Sequence, residues 1–292
     1  MAGETASEAA EAGEDKPWVS RLLHEVRETG LTIAVFVPFW LVFSTFIYEL
    51  RSIPSESMVP ALQVGDRVAV SKFAYGYDRN SAPFGIGRWF IGDDEDDPDE
   101  RMMASTPTRG DVVVFQHPNT NRVMIKRLIA LPGDTVQMRD GRLYLNGDEV
   151  PREEVRRVNY VQNDRGRMPV TAIEYSEQLP GEDEPHLIHE FSNTQRLDWT
   201  PIFTVPEGHV FMMGDNRDNS EDSRAPSGHP GMAEMFAEGW RNASVAPSDD
   251  PAVGYVPMDH LIGRADTVLF TLHRCRKAPG AECAAPRLWR GL

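Results

Sequence analysis

The chain has 292 residues, of which 40% are hydrophobic and 26% are charged, so it can form one large domain or two small ones with a proper core. Its formal net charge of −15 at pH 7 excludes a broad affinity for nucleic acid, which requires a basic surface. An acidic surface could attract basic partners, although the same charge also serves solubility.

Cysteine and histidine usage gives no pattern typical of a metal site. The eight histidines are scattered without a motif such as HExxH, and Cys275 and Cys283 stand too far apart for the short cysteine pairs of a zinc site. In an exported domain these two cysteines could form a small disulfide, and otherwise they are free thiols. We predict no metal and no organic cofactor.

The first predicted element is a transmembrane helix at residues 29–48. This stretch has no charged side chain, and a helix of twenty residues is about 30 Å long, which matches the hydrocarbon core of a bilayer. A cleaved export signal is the alternative, but it has a shorter apolar core, and no small-x-small cleavage site follows Tyr48. We therefore predict a retained anchor, preceded at residues 17–28 by a short amphipathic helix on the membrane surface.

The anchor divides the chain into three predicted regions. Residues 1–28 are a cytosolic segment, disordered over its first fifteen residues, and residues 49–292 are a domain on the other side of the membrane. The excess of positive charge before the span, on which this orientation depends, is slight.

The region after the anchor is predicted to be mostly β. Alternating or continuous apolar runs indicate strands at residues 67–73, 111–115, 123–131, 210–213 and 267–271. The dipeptides at 140–141 (Asp-Gly) and 146–147 (Asn-Gly) supply the positive φ angles of tight hairpin turns and predict a meander. We expect an antiparallel β-sheet core at about 52–135 and 205–272, with a second smaller β lobe inserted at about 136–204.

Three segments are predicted to be surface insertions. Residues 76–107 contain the acidic run 93–100, which is either a solvated loop or a cation site. Residues 152–201 belong to the second lobe or to a cap. Residues 225–252 are predicted to be a long loop, with a possible helix at 232–240.

A candidate nucleophile, Ser57, lies nine residues beyond the predicted anchor, in the run PSESMVPAL (residues 54–62). Pro54 and Pro60 stiffen the backbone on either side of it. The Ser55 hydroxyl and the Ser57 N–H could together form an oxyanion hole. Without this context Ser57 would be one serine among many.

A candidate base, Lys126, lies within the apolar run VMIKRLIAL (residues 123–131). An ammonium group with apolar neighbours loses hydration, which lowers its pKa, and a neutral amine can accept the proton of a serine hydroxyl. The alternative is a lysine whose ammonium group reaches solvent along an apolar surface.

The third group of candidate site residues lies in the polar turn FMMGDNRDNSEDSR (residues 211–224). Ser220 could hydrogen-bond the lysine amine and orient it, and Asp222 and Arg224 could form an ion pair that holds the turn. Read in isolation, the segment is also typical of a well-capped turn without chemistry.

These segments together resemble the bacterial type I signal peptidases (leader peptidases), membrane-bound Ser/Lys proteases. The resemblance covers most of residues 29–272 and rests on four runs: PSESMVPAL (54–62), RGDVVVF (109–115), KRLIALPGD (126–134) and GDNRDNSEDSR (214–224). It implies a serine endopeptidase that removes N-terminal signal peptides from exported preproteins.

The resemblance also implies a role for each matching residue. Ser57 is the nucleophile, Lys126 the general base, Ser55 the second oxyanion donor, and Ser220 the residue that positions the lysine. Asp222 and Arg224 support the site. The residues expected to line shallow substrate pockets, which accept Ala-x-Ala sequences, are Ile53, Met58, Leu62 and Ile125. Glu56 stands where many relatives have glycine, and we expect its carboxylate to face solvent.

The implied setting is a bacterial inner membrane that the chain crosses once, with the peptidase domain on the periplasmic side. The partners are then secretory preproteins and the lipid bilayer, not nucleic acid.

Two alternatives stay open: a related self-cleaving repressor protease and a non-catalytic anchored scaffold. It is also open whether the basic C-terminal tail contacts lipid headgroups; its basic residues are Arg274, Arg276, Lys277, Arg287 and Arg290.

Overall fold

A computed structural model describes residues 17–76, 105–120, 122–162, 168–225, 253–272 and 285–292. Several predictions lie outside these residues: the disordered N-terminus, the acidic run 93–100, the loop and helix within 226–252, and the Cys275–Cys283 pairing. The chain divides into two compact units, Met1–Ser44 and Thr45–Leu292.

The first unit contains most of a single long helix, α1, which spans Pro17–Phe46 with Pro38 inside it. The predicted amphipathic helix and the predicted span are therefore one continuous helix. Tyr48, predicted as the last residue of the span, instead begins a strand. Among the described residues, no helix combines the length and the apolar character needed to cross a bilayer.

The second unit is built from strands, which confirms the prediction of a mostly β, antiparallel fold. In chain order the strands are β1 (Tyr48–Ser52), β2 (Asp66–Ser71), β3 (Val112–Gln116), β4 (Val123–Ala130), β5 (Thr135–Arg139), β6 (Arg142–Leu145), β7 (Asp148–Glu149), β8 (Arg152–Gln162), β9 (Met168–Glu177), β10 (His186–Glu190), β11 (Phe203–Thr204), β12 (His209–Met213), β13 (Val256–Pro257), β14 (Leu261–Thr271) and β15 (Leu288–Gly291). The sequence did not predict β1 or β15 as strands.

The main sheet has the order β1-β2-β14-β3-β4-β12-β13, and β15 pairs with the distal part of β14. Its strand pairs are antiparallel. β3 is a run of valines ending in Phe115 and Gln116, and its first four residues are buried. A strand without a polar face is typical of the middle of a sheet that is covered on both sides.

The inserted region forms two smaller sheets. The first has the order β11-β5-β6-β7 and contains the predicted meander. Asp140 and Gly141 have φ angles of 49° and 72°, and Asn146 and Gly147 have angles of 55° and 90°, which confirms both predicted turns. The second sheet, β10-β9-β8, is called the lobe sheet below.

The apolar core consists of three clusters of buried side chains. One joins the meander to β4 and β12, and includes Ile129, Met138, Phe203 and Phe211. A second lies around β3, β12 and β13. The third lies beneath the segment that follows β1, and this cluster determines where the candidate nucleophile sits.

Candidate active site

Ser57 lies on a short turn that the third core cluster holds in place. The Ile53 N–H donates to the Asp66 carbonyl (3.0 Å) and the Gly65 N–H donates to the Ile53 carbonyl (2.9 Å), so the segment is attached to the start of β2. Met58 and Leu62 are fully buried on its inner side. These buried side chains and backbone hydrogen bonds therefore anchor the turn without a long helix or strand.

Lys126 lies in the middle of β4, opposite Val113 of β3, while its neighbour Arg127 lies opposite Met213 of β12. Flanking strands on both sides keep the backbone of β4 rigid. The lysine side chain is consequently withdrawn from solvent, with only 2% of the residue exposed.

The Lys126 ammonium nitrogen, Nζ, donates a hydrogen bond of 2.6 Å to the Ser57 hydroxyl oxygen, Oγ. Ser57 is 9% exposed, so little of the pair faces solvent. The two residues are 69 positions apart in the chain, and the antiparallel sheet brings them within proton-transfer distance.

Burial lowers the pKa of Lys126 from 10.5 to about 8. The loss of hydration is the main cause, because the charged form cannot recover its solvation inside the protein. The Asp222 carboxylate raises the pKa and the Arg224 guanidinium lowers it, so these charges oppose each other. A substantial fraction of the amine is neutral near pH 8.

The Ser55 hydroxyl lies 3.3 Å from the Ser57 hydroxyl, measured between their oxygens. This distance places a second O–H group beside the candidate nucleophile, on the same turn. An oxyanion that forms next to Ser57 would therefore have the Ser55 hydroxyl within reach.

Ser220 is buried next to Ser57, but it does not make the hydrogen bond predicted from the sequence. Its hydroxyl has no hydrogen-bond partner among the described residues. The hydroxyl packs over Gly214, where an added Cβ would collide with the Ser220 side chain and the Ser57 carbonyl oxygen. The absent side chain of Gly214 thus allows the polar turn to approach the nucleophile closely.

The predicted ion pair between Asp222 and Arg224 is present, and both side chains are fully buried. Arg224 Nε donates to Asp222 Oδ1 at 2.9 Å, and Asp222 Oδ2 accepts the Gly214 N–H at 3.1 Å. Burial by itself would raise the pKa of Asp222, but the charge of Arg224 lowers it below its ordinary value. The carboxylate therefore stays ionised and holds both ends of the turn.

The four predicted pocket residues lie together in space. Ile53, Met58 and Leu62 belong to the third core cluster, and Ile125 packs against it. Ile53, Met58 and Leu62 belong to the same segment as Ser57. Their role in lining a substrate pocket stays a prediction.

The sequence reasoning missed a second buried ion pair beside the lysine. Arg127 donates two hydrogen bonds of 2.8 Å, from Nε and Nη2, to the two carboxylate oxygens of Asp215. Because Asp215 follows Gly214, this pair joins β4 to the polar turn. The sequence offered one signal for this ion pair. Arg127 directly follows Lys126 in the run 126–134, and Asp215 directly follows Gly214 in the run 214–224.

Asn216 was also missed, although it connects the polar turn directly to the nucleophile. Its N–H donates to the Ser57 carbonyl (3.1 Å), and its side-chain amide donates to the Glu56 carbonyl (3.1 Å) and the Tyr160 hydroxyl (3.1 Å). Tyr160 belongs to β8 of the lobe sheet. The lobe sheet therefore contributes to holding Ser57.

The prediction that Glu56 faces solvent is wrong, because only 4% of this residue is exposed. Its carbonyl accepts hydrogen bonds from Asn216 and from the Val59 N–H (3.1 Å), and these bonds fold the segment into a compact turn. The charges with the largest effects on the pKa of Lys126 are those of Asp222 and Arg224.

A serine hydroxyl next to a buried lysine amine, on an antiparallel β core, defines the site of a serine–lysine hydrolase. Within the described part of the chain, no group of three or more His, Cys, Asp or Glu side chains could hold a metal ion.

Comparison with known proteins gives the family. The family described as "Signal peptidase, peptidase S26" matches residues 26–270, so the chain belongs to the S26 signal peptidases. This confirms the predicted family and the predicted class of enzyme, a peptidase.

Individual relatives agree with the family. Over 235 residues, or 78% of the chain, it is 36% identical to signal peptidase I of Pseudomonas aeruginosa. The match spans 66% of that relative's length, just under two thirds. This chain is 30% identical to signal peptidase I of Rickettsia typhi, and the match covers 79% of this chain and 75% of the relative.

A solved structure, a signal peptidase I from Enterococcus faecalis, is 24% identical, with 55% of this chain and 97% of that one covered. The TM-score of that comparison is 0.27, so it carries no weight for the fold.

Proposed function

We propose that this protein is a membrane-bound serine endopeptidase that removes N-terminal signal peptides from exported preproteins. The observation that carries the proposal is the 2.6 Å hydrogen bond between Lys126 Nζ and Ser57 Oγ, made where both groups are withdrawn from water. Membership of the S26 signal peptidases supports the choice of substrate.

The proposed mechanism uses Ser57 as the nucleophile and Lys126 as the general base. The neutral amine accepts the hydroxyl proton as Ser57 Oγ attacks the scissile carbonyl and forms a tetrahedral intermediate. The resulting ammonium group donates that proton to the leaving amine, and the peptide bond breaks. A water molecule then attacks the acyl-enzyme carbonyl while the neutral amine accepts its proton. The amine returns this proton to Ser57 Oγ as the ester bond breaks and the signal peptide carboxylate leaves.

The oxyanion of the intermediate is proposed to bind the Ser55 hydroxyl and the Ser57 N–H. The 3.3 Å separation of the two serine oxygens supports this role for Ser55. Ser220, Asp222 and Arg224 are proposed to hold the lysine in place. Ser220 would act by packing against it, since its hydroxyl makes no hydrogen bond among the described residues.

Small side chains at the first and third positions before the cleaved bond are the proposed requirement of the substrate. Ile53, Met58, Leu62 and Ile125 lie around the nucleophile, and the first three are almost completely buried. Closely packed side chains can move little to admit a substrate, so the proposed pocket would accept alanine better than larger residues.

We further propose that residues 29–48 anchor the protein in a bacterial inner membrane, with the peptidase domain on the periplasmic side. The support is the uncharged sequence of this stretch together with its exposed apolar side chains, such as Val35 (66% exposed) and Phe39 (65%). A substrate held in the same bilayer by its own signal peptide would meet the site at high effective concentration.

The function can be tested with a purified preprotein in lipid vesicles that contain the full-length enzyme. We expect cleavage after an Ala-x-Ala sequence, and about 10–100-fold lower kcat/KM when the alanine before the cleaved bond is replaced by phenylalanine, because overpacking a rigid pocket costs roughly 1–3 kcal/mol. Mass spectrometry of the released protein locates the cut. Equal cleavage of both substrates, or a cut elsewhere, would contradict the proposed specificity.

The pH profile tests the base. Because Lys126 must be neutral and its pKa is about 8, kcat/KM should increase about tenfold per pH unit below pH 7 and level off above pH 9. The profile is measured between pH 6 and 10 with a substrate that has no ionisable group near the cleaved bond. An acid limb that ends only near the ordinary lysine value of 10.5 would refute a buried base.

A further inference from the structure

The C-terminal segment of the chain reaches the turn that carries Ser57. β15 pairs with β14 through Phe270 and Leu288, and the Arg287 N–H donates to the Thr271 hydroxyl (3.0 Å). The Thr271 N–H donates in turn to the Arg287 carbonyl (3.2 Å). These contacts place the Arg287 side chain at the end of β14, beside the turn between β1 and β2.

The Arg287 guanidinium bridges two consecutive carbonyl groups of that turn. Nη2 donates to the Pro60 carbonyl and Nη1 to the Ala61 carbonyl, each at 2.5 Å. Nη1 also lies 3.3 Å from Oδ2 of Asp66, which is fully buried, while the Arg287 side chain is 9% exposed. A buried arginine needs an anionic partner, and Asp66 provides one; the two carbonyl contacts are additional to that need.

The bridged carbonyls lie three and four residues after Ser57, within one compact turn. The Val59 N–H donates to the Glu56 carbonyl (3.1 Å), and the Leu62 N–H donates to the Met58 carbonyl (2.7 Å). A shift at Pro60 or Ala61 is therefore transmitted to Ser57, because few soft torsions lie between them.

The turn is consequently held from two sides. Asn216 of the polar turn binds the carbonyls of Glu56 and Ser57, and Arg287 binds those of Pro60 and Ala61. The Ser57 hydroxyl must stay 2.6 Å from the Lys126 amine, and a displacement of about 1 Å can reduce a rate up to a hundredfold.

We propose that Arg287 is a positioning residue for the proposed reaction: its planar guanidinium holds the Pro60 and Ala61 carbonyls so that Ser57 faces Lys126. The inference rests on the proposed function, with Ser57 as nucleophile. A lysine could retain the charge beside Asp66, but its single ammonium group cannot reproduce the planar fork that spans both carbonyls.

The test compares Arg287→Ala, Arg287→Lys and the control Arg290→Ala, in the full-length enzyme, on an Ala-x-Ala preprotein. Arg290 belongs to the same strand, β15, and is exposed. We expect kcat to fall about 10–100-fold in Arg287→Ala and at least about threefold in Arg287→Lys, with KM within about twofold of wild type, because the substrate contacts are unchanged. Arg290→Ala should retain the wild-type kcat.

Thermal unfolding, followed by circular dichroism, separates positioning from folding. Arg287→Lys keeps a cation beside Asp66, so it should remain folded at the assay temperature and still show the reduced kcat. The proposal is overturned if Arg287→Lys or Arg287→Ala has the wild-type kcat, or if each loss of activity equals the fraction of unfolded enzyme. A wild-type enzyme that does not cleave the preprotein would refute the proposed function itself.

Discussion

Replacing Ser57 with alanine is expected to reduce preprotein cleavage by at least about a thousandfold, because it removes the hydroxyl that is proposed to form the acyl-enzyme. The Lys126 amine would then face a methyl group in place of the hydroxyl that it contacts at 2.6 Å. The measurement is the single-turnover rate of signal peptide release from a purified preprotein in vesicles. The fold should be unaffected, because alanine fits the space that serine leaves.

Ser52→Ala is the matched control for this experiment. Ser52 ends β1 five residues before Ser57 and is exposed, so its hydroxyl is outside the site. The Ser52→Ala enzyme should cleave the preprotein at the wild-type rate. If Ser57→Ala released the mature protein as fast as Ser52→Ala does, another residue would be the nucleophile, and the Ser57–Lys126 contact would be structural only.

Replacing Glu177 with glutamine is expected to destabilise the protein by about 3–5 kcal/mol, because it removes the carboxylate that is hydrogen-bonded to the buried Arg217 cation. Arg217 Nη1 donates to Glu177 Oε2 at 3.0 Å, a second hydrogen bond joins Arg217 Nη2 and Glu177 Oε1, and both residues are almost fully buried. Thermal unfolding should show Tm lower by roughly 6–20 °C. Glu177 ends β9 of the lobe sheet, and Arg217 lies in the polar turn.

The control is Glu149→Gln, which removes an exposed ion pair with Arg142 and should leave Tm close to that of the wild type. The destabilisation caused by Glu177→Gln should also depend on pH. Burial raises the pKa of Glu177, but Arg217 and His186 lower it by more, so the pKa lies below its ordinary value of 4.5. The carboxylate thus stabilises the protein above pH 4.5, and this contribution decreases as the pH falls below that value. A Tm equal to that of Glu149→Gln would show that the lobe sheet does not depend on this pair.

The stability prediction matters for function because the lobe sheet supports the site. The Glu177–Arg217 pair and the Tyr160–Asn216 hydrogen bond both join it to the polar turn, and Asn216 holds the Ser57 carbonyl. A segment that looks like a surface insertion in the sequence is therefore part of what keeps the nucleophile in place.

Local features of the fold were predictable from the sequence. The hairpin turns at Asp140-Gly141 and Asn146-Gly147 followed from residues that tolerate positive φ. Strand periodicity located most of the main sheet. The same reasoning missed β1 and β15. β1 begins at Tyr48, which was predicted to end the apolar span, and β15 is exposed at all four positions.

The candidate site was predictable only in its residue types. The runs around Ser57 and Lys126, and the Asp222–Arg224 ion pair, were identified from motifs. Two expectations about side chains were wrong: Glu56 is buried, and Ser220 makes no hydrogen bond to the lysine among the described residues. Both outcomes depend on how closely the polar turn approaches the serine turn, which no local pattern records.

By itself the sequence determined the chemistry that is present, namely a serine, a lysine among apolar residues, and an acidic–basic pair in a polar turn. Tertiary structure alone decided that Lys126 lies 2.6 Å from Ser57 and loses enough hydration for its pKa to be about 8. It also decided which buried charges pair, as Arg127 with Asp215, Arg217 with Glu177, and Arg287 with Asp66. The physical reason is that burial and pairing depend on contacts between segments tens to hundreds of positions apart, whereas sequence periodicity reports only neighbours within one element.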